Sequence, residues 1–177
     1  MRFNSKGQAF DVFKLLIAAV IALAMLAILI PILKINITAN DPGKAASDLV
    51  KSNYDKYSEY STSQEVLFNS SASSLNLKSI ATQSKNISAT QLCIGMGDFE
   101  GSEEFSLDGT SGNVVLKYTG TSQKRATIGI ICDDAKSLEG DLTNQSITPG
   151  TMKCGNGDSE PPSESSETYC ILIMKAA

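Results

Sequence analysis

The chain has 177 residues, of which 42% are hydrophobic and 19% charged, with a formal net charge of −4 and no histidine. Without histidine, a Ser-His-Asp triad and a Cys-His pair are excluded, and so is the general base most used near neutral pH. Most acids lie in the distal half, so no continuous basic face for nucleic acid is expected.

The N-terminus opens with a short basic leader, residues 1–7, that carries Arg2 and Lys6 and ends at Gly7. A peptidase-like site, Gly7 followed by Gln8, precedes the apolar run, whereas an ordinary secretory signal is cut after it. From Leu15 to Leu33 the chain is uncharged and apolar apart from Pro31. As a helix this stretch would rise roughly 28 Å, about the hydrocarbon thickness of a bilayer. A long N-terminal apolar helix over residues 8–41 is therefore predicted. Apolar on every side, it requires lipid or other apolar helices around it.

Lys6-Gly7-Gln8 ahead of a long apolar helix resembles the class III signal peptide of archaeal type IV pilin-like proteins. The likeness covers about the first 34 residues. It implies cleavage between Gly7 and Gln8 by a prepilin peptidase, with the precursor in the cytoplasmic membrane. It further implies assembly with copies of itself into an extracellular cell-surface filament, by an assembly ATPase and a membrane platform protein, with adhesion as the usual role. Where the family places Ser and Glu after the Gln, this chain has Phe10 and Val12, and its acid is Asp11. Asp11 has two readings. One is a first-turn acid favoured by the helix dipole and facing Lys14. The other is a register contact to the new α-amino group of Gln8 or of an adjacent subunit, since an unpaired buried charge is costly. Ala22 and Ala24 are the small residues expected at filament contacts. Losing the leader takes the net charge from −4 to −6, which suits a soluble outer surface.

The remainder, residues 42–177, is long enough for one extracellular head with one core. Asp41-Pro42 supplies an N-cap and a first-turn proline. Ala46, Leu49, Val50, Tyr54 and Tyr57 then recur at helical steps, predicting a second helix from Pro42 to about Tyr60. Short segments with turns between them follow, the pattern of an antiparallel β domain. The expected strands are Ser74–Ala81, Ile87–Gly95, Glu104–Leu107, Val114–Tyr118, Ala126–Cys132, Ser146–Thr148 and Tyr169–Lys175. Hairpin loops are expected at Asp108–Gly112 and Gly120–Gln123. The fold class is α+β: the long apolar helix plus a β-rich, sandwich-like head stapled by disulfides.

Cys93, Cys132, Cys154 and Cys170 all lie in the head. An even count beside an export signal reads as a disulfide framework with three possible pairings. The sequential one, Cys93 with Cys132 and Cys154 with Cys170, is favoured because it closes the Pro/Ser/Glu-rich loop after Cys154. A four-thiolate metal site is disfavoured, since no C-x-x-C pair occurs. Asp98, Glu100, Glu103, Glu104 and Asp108 cluster but miss the EF-hand spacing; this run and Asp133-Asp134 read as solvated acids. Sequons occur at Asn36, Asn69, Asn86 and Asn144, of which the last three sit in polar surroundings suited to glycosylation. No catalytic group and no cofactor are assigned. Two rival readings are a membrane-anchored binding ectodomain and a secreted protein cut near Ala39.

Overall fold

The computed structural model describes residues 14–25, 41–69 and 73–177. Two compact units divide between Thr38 and Ala39.

In the first unit residues 14–25 are helical; this helix is α1. Its apolar side chains face outward, with Leu15 at 72% and Leu23 at 67% exposure. Among the described residues no helix is long and apolar enough to cross a membrane. The predicted long apolar helix is thus corrected to α1, and the rest of residues 8–41 lies outside the described residues apart from Asp41.

The second unit is mixed α+β, which corrects the antiparallel sandwich predicted for it. Helix α2, Pro42–Asn53, starts as the sequence indicates, with the Asp41 carboxylate accepting from the Gly43 amide at 3.0 Å. Ala46, Leu49, Val50 and Asn53 are buried along one face. The helix stops seven residues before Tyr60 because the chain turns back there. Ser58 adopts φ 58°, and its amide donates to the Cys132 carbonyl at 3.1 Å. Asn53 holds the exit: its amide donates to the Leu49 carbonyl at 2.9 Å, and its side-chain oxygen accepts from Ser61 at 2.8 Å.

Two short strands, β1 (Ser61–Thr62) and β2 (Val66–Phe68), follow, then β3 (Ser74–Asn76). The strand expected over Ser74–Ala81 ends at Asn76. That residue caps helix α3, Leu77–Ser84, by accepting from the Ser79 amide at 3.1 Å. Leu77, Ile80, Ala81 and Ser84 are buried, the spacing of one helix face. A 3₁₀ turn, Ala89–Gln91, leads into β4 (Leu92–Gly95), and another, Gly97–Phe99, leads out of it. Then come β5 (Phe105–Asp108), β6 (Val115–Tyr118), β7 (Lys124–Asp134), helix α4 (Ala135–Asn144), β8 (Met152–Cys154) and β9 (Thr168–Ala176). The expected strand Ser146–Thr148 is a loop, entered through Ser146 at φ 54°.

Strands β3, β6 and β5 form a small antiparallel sheet, and the loop between β5 and β6 is a hairpin as predicted. The second expected hairpin is absent. Strand β7 leaves for a larger sheet ordered β1, β7, β9, β4, β8, in which β2 also pairs with β7. Within it β4 runs parallel to β9, a pairing that needs a long crossover and leaves no local turn signal.

Both faces of the larger sheet are covered. Ile128, Ile130, Leu172, Leu92 and Ile94 turn to one side, where they share a core with α2, α3 and the small sheet. Phe105 centres that core, edge-on to Phe68 at 5.2 Å and 5.0 Å from Tyr118. Ile131, Ile171 and Ile173 turn to the other side, against Leu138 of α4, Ile147 and Met152. Burial on both faces accounts for the near-continuous apolar run of β9.

Candidate functional site

Gly7, Gln8 and Asp11 lie outside the described residues. Ala22 and Ala24 stand on α1 and are exposed.

All four cysteines form disulfides, but in a pairing that corrects the sequential one: Cys93 with Cys154, and Cys132 with Cys170. Each bond joins residues directly opposite one another on neighbouring antiparallel strands, β4 with β8 and β7 with β9. Each closed loop, spanning 61 and 38 residues, stabilises by about 4 kcal/mol in the chain-entropy model. The loops interleave along the chain, so these contributions are not additive. No cysteine is free.

Asn69, Asn86 and Asn144 are all exposed. Asn69 is the most engaged, its side-chain oxygen accepting from Gln123 Nε2 at 2.9 Å; Asn36 lies outside the described residues.

The acids of residues 98–108 do not converge. Asp98 pairs with Lys175 at 3.5 Å, Glu104 with Lys124 at 2.9 Å and Asp108 with Lys117 at 3.4 Å. Glu100 accepts from the Thr151 hydroxyl at 2.9 Å. Asp98 stands in the 3₁₀ turn after β4, Glu100 and Glu104 in the turns between it and β5, and Asp108 on β5, so their partners differ. Among the described residues no group of three or more His, Cys, Asp or Glu is placed to hold a metal ion.

Of Asp133 and Asp134, both read as solvated acids, Asp133 is buried. Its Oδ2 accepts from the Ser58 hydroxyl, its Oδ1 accepts from the Asp134 amide at 2.6 Å, and Asp141 Oδ2 lies 3.0 Å from the same Ser58 Oγ. One hydroxyl carries one proton and cannot donate to both carboxylates. A proton on Asp141 resolves the conflict. Burial, with help from the hydrogen bond and charge of Asp133, pushes Asp141 above the usual carboxylate value. Burial pushes Asp133 upward too, but hydrogen bonds from Ser58, the Asp134 amide and Asp141 outweigh it and hold Asp133 below its ordinary value. The cluster ties the end of β7 to α4 and, through Ser58 and the bond from Gln145 Nε2 to the Ser58 carbonyl at 2.8 Å, to the turn after α2. Ser58 and Asp133 are 75 positions apart, so no local motif announces it.

The three tyrosines after α2 separate. Tyr54 packs partly buried on the first core, Tyr60 packs on the second, and Tyr57 is exposed at 55% with its hydroxyl 3.3 Å from Thr168. Burial, reinforced by the charge of Asp98, raises the Tyr60 phenol above its ordinary value.

No protein-family model, curated protein or solved structure matches the chain.

Proposed function

We propose that the chain is an exported structural protein, the subunit of an extracellular pilus-like filament, with a disulfide-stapled head displayed at the cell surface. The observation that carries this reading is the outward-facing apolar surface of α1, placed after the Lys6-Gly7-Gln8 sequence. Leu15, Leu16, Val20, Leu23 and Met25 are each more than half exposed, and such a surface requires an apolar partner. Lipid meets the requirement in the precursor, and copies of the same segment meet it after removal of the leader by a prepilin peptidase. The two buried disulfides fit an oxidising exterior, and the exposed sequons fit a glycosylated one. Adhesion is the role proposed for the filament.

The test is overpacking at Ala22. Ala22→Leu adds three carbons to an apolar surface that lipid accommodates, whereas closely packed copies of the segment do not. Electron microscopy of cells expressing Ala22→Leu is expected to show few or shortened filaments at unchanged subunit abundance. Abundant normal filaments would count against packing through this face, and their absence from the parent would favour an anchored ectodomain.

A further inference from the structure

A cleft of about 300 Å³ opens in the second unit between α4, the loop at residues 147–149 and the loop at residues 160–163. Its floor is apolar: Leu138, Ile147, Met152 and Ile171 line it, all of them buried. The walls are pinned by backbone hydrogen bonds. The Ile147 amide donates to the Leu142 carbonyl at 2.9 Å, Gly97 to Pro149 at 2.8 Å and Ser165 to Pro162 at 3.1 Å. The cleft is therefore preformed, as ligand sites usually are, and its volume stands at the small end of their range. It is large enough to admit one large apolar side chain.

The rim decides what carries that side chain. Lys136, Glu139 and Glu160 border the cleft and are exposed. Among the described residues these three form no ion pair, although acids elsewhere on this unit, such as Glu65, Glu104 and Asp108, do. The rim thus keeps a net negative charge beside an apolar floor. The geometry points to a binding site for a peptide segment of another protein in which a large aliphatic or aromatic residue is flanked by lysine or arginine. The apolar side chain enters against Met152 and Ile171, and the flanking cations meet Glu139 and Glu160. Rim charges of this kind set preference and approach more than affinity. This site belongs wholly to the second unit and does not depend on the filament reading.

The test uses the full chain in nonionic detergent, with ¹³C-methyl methionine and the Met152 signal assigned through Met152→Leu. The probes are the blocked peptides Gly-Lys-Phe-Lys-Gly and Gly-Glu-Phe-Glu-Gly. The lysine peptide is expected to shift the Met152 methyl saturably and to bind about fivefold tighter than the glutamate peptide, the scale of two exposed ion pairs. The double reversal Glu139→Lys with Glu160→Lys is expected to invert that order while leaving the remaining methionine signals in place. No Met152 shift with either peptide would overturn the proposal. Equal binding of the two peptides, an order unchanged by the reversal, or a shift produced by raising the concentration of the chain alone would overturn it as well.

Discussion

Cys93 and Cys132, the first two cysteines in the chain, belong to opposite faces of the larger sheet. Cys132 lies in the core shared with α2 and α3, Cys93 in the core beneath α4. Strand β9 also separates their two strands. They cannot pair without dismantling the sheet. Each instead bonds the residue opposite it, so one staple fixes β4 to β8 on one face and the other fixes β7 to β9 on the other.

Non-reducing peptide mapping is expected to yield a Cys93–Cys154 and a Cys132–Cys170 peptide and no free thiol. Replacing Cys132 and Cys170 together by Ser should cost up to about 4 kcal/mol, read as a lower denaturant midpoint. A Cys154–Cys170 peptide would contradict the sheet order.

The acid pair gives a pH signature. Asp141, raised in the folded chain, contributes stability that is complete below its unfolded pKa and lost as the pH rises through its folded pKa. Asp133, lowered, contributes stability that is present above its unfolded pKa and lost as the pH falls through its folded one. An asparagine at position 141 donates to Ser58 or Asp133 without ionising. Asp141→Asn is therefore expected to match the parent below about pH 4, near the unfolded carboxylate pKa, and to melt at a higher temperature at pH 7. A stability difference independent of pH would remove the shared proton from the account.

The aromatic centre of the first core sets a packing expectation. Phe105 is 4% exposed and contacts Phe68, Phe99 and Tyr118. Phe105→Ala should cost about 3 to 5 kcal/mol, measured by urea titration. A loss under 1 kcal/mol would mean that this core is not closely packed.

Gly97 is required for two reasons at once. Its φ is +52°, and a Cβ there would stand 2.0 Å from the Met174 carbonyl oxygen. Gly97→Ala is expected to cost at least about 1 to 3 kcal/mol and to raise amide exchange across the edge where the 3₁₀ turn meets β9. Unchanged exchange there would contradict that close approach.

Local signals were legible and long-range ones were not. Asp41-Pro42 announces the start of α2, and the apolar runs of β6, β7 and β9 announce those strands to within a few residues. Asn76 with Leu77, Ile80, Ala81 and Ser84 also carried a readable cap and helical spacing, but the run SLNLKSIA satisfies a strand reading equally well. The end of α2 was not readable, because Ser58 is held in its turn by Cys132 and Asp133, more than 70 positions away. The parallel β4–β9 pair and the cysteine pairing share that origin. Both depend on which strand lies beside which, a property of topology rather than of spacing. At the N-terminus the uncharged apolar run predicts one long helix, but among the described residues no helix is long and apolar enough to cross a membrane.

The central claim, an exported subunit released from its leader before assembly, is tested most directly by the mature N-terminus. Mass spectrometry of the chain recovered from the cell surface is expected to find Gln8 as the first residue, with Gly7→Val leaving an uncut precursor and no filaments. A surface chain that begins at Met1 or Asn40 would contradict the claim.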